Sequence, residues 1–289
     1  MESEKTMALK LMYITNLPEV AKIAESVGVD RIFVDLEYIG KTLRQGGMDT
    51  VQSKHTLDDV RQMSETLTRA ELLVRVNPIH EATEEYSSSQ EEIDTAIQNG
   101  ADVLMLPYFK TAEEVKKFVA CVRGRVRTML LVETPEAAEK IDEILAVDGV
   151  DEVFIGLNDL SLGYGKKFMF ELLTDGTAER LIEKFKAKGI PYGFGGLASL
   201  EGGLLPGKMV LAEHYRLGSG CVILSRSFCN TAKITELSKI REIFTDGVAQ
   251  IRAYEALCEK MTEAERAENR KGVQVSVEKI VTEIERKQG

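Results

Sequence analysis

Several features that mark common protein classes are missing from this chain. No apolar run approaches the ~18–20 residues that a membrane-spanning helix needs. The first residues, MESEKTMALK, are charged and lack the apolar core of a secretory signal. Cys121, Cys221, Cys229 and Cys258 stand singly, with no C-x-x-C pair, a usage that fits reduced thiols rather than a disulfide framework. Positive charge is in deficit, with 37 Lys and Arg against 47 Asp and Glu and a formal net charge of −10. Binding to a phosphate backbone needs clustered positive charge, so a nucleic-acid partner is not expected. A small anionic substrate stays open, because local Lys and Arg decide that. The expectation is a cytoplasmic protein with neither a membrane nor a nucleic-acid partner.

What is present is a globular pattern, 44% hydrophobic and 29% charged. Apolar strand candidates occur at 9–16, 31–38, 72–78, 101–109, 129–132, 153–156, 190–198 and 220–228. Helix-spaced segments lie between them, at 17–27, from Thr56 onward, at 90–98, 111–123, 177–188 and 208–217. Gly28 and Gly189 stand where helices end. The strand runs are mostly continuous rather than alternating, which suits parallel strands buried on both faces. Repeated strand–helix units over about 230 residues predict an α/β fold, a closed (β/α)8 TIM barrel. A doubly wound open sheet is the alternative, but it calls for a Gly-rich turn after the first strand, and TNLPEV does not supply one.

The chain is expected to divide into a barrel over residues 1–230 and a C-terminal helical extension over 231–289. Val277, Ile280, Val281 and Ile284 make an apolar stripe in that extension. The stripe is expected to pack either on the barrel's own outside or against a neighbouring subunit, making a homo-oligomer.

The active site of a TIM barrel sits at the C-terminal ends of the strands. Those positions hold Asp35 and Glu37, Arg75 and Asn77, Pro107 with Lys110, Glu133, and Asn158 with Asp159. Glu133 and Asp159 end consecutive parallel strands, so they can face one space and offer oxygen donors to Mg²⁺ or Mn²⁺. Each could instead cap a helix or turn. Arg75 would bring a permanent cation to the same space, suited to a carboxylate or an enolate oxygen; its other reading is a buried ion pair with Asp35 or Glu37. A metal and an Arg at one oxyanion point to carbon–carbon chemistry beside a carbonyl.

Taken together, VDLEY, LLVRVNP, GADVLMLPYFKTAEEV, LLVETPEAAEKIDEILAVDGVDEVFIGLNDLS and GFGG resemble the aldolase/citrate lyase family of the phosphoenolpyruvate/pyruvate superfamily. The resemblance runs over roughly residues 10–230 and is most specific over 100–163. It implies Glu133 and Asp159 as ligands of Mg²⁺ or Mn²⁺ and Arg75 at the pyruvate carbonyl or enolate oxygen. It also implies that backbone N–H groups of the turn Gly156, Leu157, Asn158 and Asp159 receive the substrate carboxylate. Where the aldolases of that family read D-G-E-H, with His as general base, this chain has Asp35-Leu36-Glu37-Tyr38. His55, at the far end of the long loop 39–55, is the substitute candidate for the base. Lys41, Arg44 and Tyr38 are others, His80 is a weaker one, and His214 is expected far from the site.

The leading expectation is a lyase, a divalent-metal-dependent aldolase of the class II pyruvate type acting on a hydroxy-oxo acid. A citrate-lyase-beta-like acyl-CoA lyase is the alternative, favoured by the D-L-E string. A Schiff-base aldolase would use Lys110, and Tyr38 in place of His keeps open a member that has lost its catalysis.

Overall fold

The structure, a computed structural model, describes residues 8–40 and 54–288. Its strands are β1 (Lys10–Ile14), β2 (Arg31–Asp35), β3 (Glu71–Arg75), β4 (Val103–Leu106), β5 (Arg127–Val132), β6 (Glu152–Ile155), β7 (Tyr192–Leu197) and β8 (Cys221–Leu224). Each pairs in parallel with the next, and β1 pairs with β8, which closes the barrel. The expected (β/α)8 fold is therefore the observed one. Most strands are shorter than their apolar runs, whereas β5 begins earlier, at Arg127, and β6 at Glu152. In β2 regular pairing ends at Asp35, and Leu36 adds one more bond to the Arg75 carbonyl at 2.9 Å.

Alternation along the strands builds the interior in layers. At the bottom, Arg31 is fully buried and bridges Glu71 at 2.6 Å and Glu152 at 2.5 Å, while Arg127 reaches the same two carboxylates. Two residues higher on the strands come Met12, Phe33, Leu73, Met129 and Phe154, part of an apolar plug separate from the outer core. Two residues higher again, the same inward register delivers Asp35 on β2 and Arg75 on β3. On β5 it runs through Leu131 to Glu133.

The helices are α1 (Pro18–Ser26), α2 (Leu57–Thr66), α3 (Ser89–Gln98), α4 (Ala112–Val122), α5 (Pro135–Glu139), α6 (Ile141–Ile144), α7 (Leu157–Gly163), α8 (Glu171–Thr174), α9 (Thr177–Lys188), α10 (Gly207–Leu217), α11 (Leu237–Cys258) and α12 (Glu263–Gln288). Three starts are set by reciprocal capping boxes, Thr56 with Asp59, Ser88 with Glu91 and Thr111 with Glu114. None of the described helices is long and apolar enough to cross a membrane.

Helix α11 packs against α1 and α10, so the ring of barrel helices is completed by residues beyond 230. Helix α12 lies on α10 and α8 of its own chain. Val273 and Val277 are buried there, Ile280 and Val281 are packed against the core, and Asn269 bonds the Met209 carbonyl and Glu213. The apolar stripe thus packs on the chain's own barrel helices through Val277, Ile280 and Val281.

His214 of α10 is fully buried and stacks on Phe194 of β7, with ring centroids 3.8 Å apart. Its Nδ1 lies 2.8 Å from Ser219 Oγ, while Nε2 is buried with no hydrogen-bond partner. Burial penalises the charged ring and pushes its pKa from 6.5 down to about 3. The unfolded chain therefore takes up a proton below about 6.5 that the folded chain refuses until about 3, so acid costs stability across that window. Denaturant titrations should show stability falling from pH 6.5 toward 4, with a shallower fall in His214→Phe than in the wild type. Equal slopes in the two proteins would show that this ring contributes nothing to acid sensitivity.

Candidate active site

The top of the barrel opens into a cavity of about 590 Å³. Arg75, His55, Glu133, Gly156, Leu157, Asn158 and Asp159, the residues singled out from the sequence, all line it. They come from the ends of β3, β5 and β6 and from the return of the loop after β2.

Arg75 is held as a fork on Asp35, Nε to Oδ1 and Nη2 to Oδ2, both at 2.8 Å. Its Nη1 faces Glu37 Oε2 at 3.3 Å, and the guanidinium lies over the Phe33 ring. The buried ion pair read as the alternative for Arg75 is therefore present. It does not remove the side chain from the cavity, where it stays 14% exposed. Desolvation alone would lower its pKa, but the carboxylates of Asp35 and Glu37, with Glu133 farther off, outweigh it and keep the cation charged. A guanidinium has five N–H donors and Asp35 engages two, so the group can hold a ligand oxygen without leaving its clamp.

Glu133 follows β5 and is buried. Its Oε1 accepts the Tyr108 N–H at 3.0 Å, an N–H aimed there by a left-handed backbone at Tyr108, φ 49°. Strained backbone of this kind persists only where the surroundings enforce it. Behind Glu133 lies Gly156: a Cβ there would come 2.8 Å from Glu133 Cβ and 3.0 Å from its Oε2. Asp159, half-buried in the first turn of α7, accepts from Asn158 Nδ2 at 3.0 Å. Ser161 Oγ donates to the Asn158 carbonyl at 2.7 Å. Glu133 and Asp159 also wall a second cavity, of about 450 Å³, on the side of Tyr108 and Lys110. Among the described residues no group of three or more His, Cys, Asp or Glu could hold a metal; the described carboxylates lining the cavity are Asp35, which Arg75 bridges, Glu133 and Asp159.

One expectation needs correcting. The Gly156 N–H is bound to the Val132 carbonyl at 3.0 Å as the β5–β6 ladder ends, so it is not available to a substrate carboxylate. The N–H groups one residue on, from Leu157 into the first turn of α7, have no carbonyl a turn behind them. The glycines of β7 make room for this turn, since a Cβ on Gly195 would strike Leu157 at 2.8 Å.

His55 is half-buried, and its Nδ1 accepts the Asp35 N–H at 3.0 Å. A neutral ring with Nδ1 as acceptor carries its proton on Nε2. Of the rival base candidates, Tyr38 is 49% exposed, packs on the Tyr86 ring and does not line the cavity. His80 is tied to the Pro78 and Ser87 carbonyls, and His214 is buried under the barrel wall. Lys41 and Arg44 lie outside the described residues. Lys110 faces the second cavity, where its pairing with Glu136 at 2.8 Å raises its pKa. A Schiff-base nucleophile must be neutral, so this pairing disfavours that chemistry.

Sequence reading overlooked Tyr108, Lys54 and Arg226. Nothing in a Pro-Tyr string announces a left-handed backbone, and the Arg in CVILSRSF reads as an ordinary surface residue. Gly156→Ala should destabilise the fold by roughly 1–3 kcal/mol, because the added methyl meets a packed carboxylate. A denaturation midpoint equal to that of the wild type would show that Glu133 does not depend on the Gly156 gap.

Among curated proteins, the chain is 32% identical to a hydroxypyruvate/pyruvate aldolase of Sagittula stellata over 26% of its length and 41% of that protein. It is 25% identical to one of Roseovarius nubinhibens over 51% of its length and 61% of that protein. The chain thus spans less than two thirds of either relative. Its fold matches an HpcH/HpaI aldolase from Desulfitobacterium hafniense with a TM-score of 0.60 at 18% identity, covering 81% of this chain and 93% of that one. The citrate synthase SbnG matches with a TM-score of 0.56 at 15% identity, covering 85% and 94%. The family description HpcH/HpaI aldolase/citrate lyase matches residues 11–193. With more than half of the sequence matched, on a barrel of the same fold, the chain belongs to the HpcH/HpaI aldolase/citrate lyase family.

Proposed function

We propose that this protein is a divalent-metal-dependent carbon–carbon lyase of the class II pyruvate aldolase type, cleaving or forming a 4-hydroxy-2-oxo acid. The observation that carries the reading is one cavity lined by Glu133, Asp159, Arg75 and His55. The names of the relatives support an aldolase in the coarse sense.

Glu133 and Asp159 fit a hard cation such as Mg²⁺ or Mn²⁺. Both donors are carboxylate oxygens, Gly156 leaves the gap against which Glu133 seats, and two protein ligands suit an ion that keeps several waters. When bound, the cation would supply Lewis-acid polarisation of the substrate's 2-oxo group. Cleavage breaks the C3–C4 bond: the C4 hydroxyl gives its proton to solvent water, C4 leaves as an aldehyde, and the bond's electron pair passes into the enolate of pyruvate. The enolate then takes a proton at C3.

Arg75, already charged and clamped by Asp35, holds the enolate oxygen at no cost of reorganisation. Leu157 and Asn158, opening α7, present N–H groups to the substrate carboxylate. His55 serves as a hydrogen-bond donor from Nε2 to the C4 oxygen rather than as the general base. Accepting a proton at Nε2 would first require moving the one already there and would strip the Asp35 N–H of its acceptor.

Pyruvate release from a panel of 4-hydroxy-2-oxo acids should vanish in EDTA and return with Mg²⁺ or Mn²⁺. Glu133→Gln and Asp159→Asn should each lose release and Mn²⁺ binding together; activity persisting in both would end the metal reading. His55→Gln, whose amide can both accept and donate, should stay within about tenfold of wild type. A general-base role would instead cost about 10²–10⁴-fold.

A further inference from the structure

Two cavities meet at the carboxylate pair. Among the described residues, Glu133 and Asp159 are the two that line both of them. The oxygens of Glu133 are turned to different sides. Oε1 accepts the N–H of Tyr108, which lines the second cavity and not the first. Oε2 lies 3.0 Å from where a Cβ on Gly156 would stand, and Gly156 lines the first cavity and not the second. A cation held by this pair can therefore be reached from either side.

The second cavity is a built feature of the fold. Buried Thr134 donates from Oγ1 to the Phe109 carbonyl at 2.7 Å and accepts the Ala137 N–H at 3.2 Å. It thereby ties the chain after β4 to the start of α5. Gly163 lets α7 end against Pro135, since a Cβ there would come 2.6 Å from Pro135 Cδ. Lys110 pairs with Glu136 and lies over the Tyr108 ring, 5.6 Å from its centroid. Both members of that ion pair are part-exposed and Leu162 is 37% exposed, so the cavity opens to solvent on their side. Leu162 stands three residues after Asp159 in α7, a spacing that puts both on one helix face.

An oxo acid seated on Arg75 and the first turn of α7 occupies the first cavity's side of the two carboxylates. Hard divalent cations arrive hydrated and keep several waters when bound. At about 30 Å³ for each water, the second cavity's 450 Å³ has room for such a shell. We propose that the second cavity is the cation's own doorway. Mg²⁺ or Mn²⁺ reaches Glu133 and Asp159, and leaves them, past Leu162, while the first cavity serves the oxo acid. This rests on the metal reading above.

The test reads rates of Mn²⁺ exchange on the full chain rather than turnover. Calorimetry gives Kd, release into an excess of a chelating dye gives the dissociation rate, and their ratio gives the association rate. A side chain that only narrows a route slows entry and exit alike. In Leu162→Trp both rates should fall together by about tenfold, with Kd unchanged. Leu162→Ala should raise both. Leu17→Trp, at an exposed residue lining the first cavity, should leave both rates as in the wild type. With oxamate filling the first cavity, the order of release among the two Leu162 variants and the wild type should persist. One release rate shared by all three would mean that the cation waits for the first cavity to clear, which overturns the proposal. An association rate unmoved in both Leu162 variants, or slowed by Leu17→Trp, overturns it too. A wild type that binds no Mn²⁺, or binding that survives in both Glu133→Gln and Asp159→Asn, ends the metal reading, and the doorway falls with it. Binding lost in those two variants, with rates unmoved at Leu162, sinks the doorway alone.

Discussion

Closure of eight parallel strands fixes which side chains face inward, and the rest of the site depends on that constraint. Once β1 pairs with β8, each strand's alternate residues must point to the interior, and the pairing register sets their height. Charged residues at the bottom, an apolar plug in the middle and Asp35, Arg75 and Glu133 at the top are three readings of one alternation. A shift of one residue in β2 or β3 would turn Asp35 or Arg75 out toward the helices.

The bottom layer shows how such a barrel tolerates charge. Arg31 is fully buried, yet Glu71 and Glu152 engage its guanidinium, so the burial leaves no naked ion. The same arrangement recurs at the top with Arg75 on Asp35 and Glu37, but there one side is open to the cavity. A structural ion pair and a substrate-facing cation are thus compatible in one residue. Asp35 links this clamp to His55 through its own backbone N–H, so the cation and the imidazole are held by consecutive groups of a single residue.

Much of this was legible beforehand because it depends on local order. Continuous apolar runs, each ending in a polar residue, gave away the strands and their C-terminal ends. Thr56 and Asp59 marked a helix start by a reciprocal bond that spans three residues. Glu133 and Asp159 stood out because a strand–helix–strand unit brings its strand ends to one side whatever the details. The direction of individual hydrogen bonds was not legible. That the Gly156 N–H belongs to Val132, that Tyr108 aims its N–H at Glu133, and that His55 accepts at Nδ1 are outcomes of backbone placement between separate units.

The sequence by itself determined the eightfold strand–helix alternation, the acids and the arginine at the strand tops, and the family, since all of these reside in residue type and spacing along one chain. Only the tertiary structure decided the company each residue keeps. It put His55 into the cavity and Tyr38 out of it, although the two flank the same loop. It laid the stripe of α12 on α10 and α8 of its own chain, and it brought Arg226 to the mouth that Lys54 shares. Such neighbours lie far apart in sequence, and only barrel closure sets the distance between them.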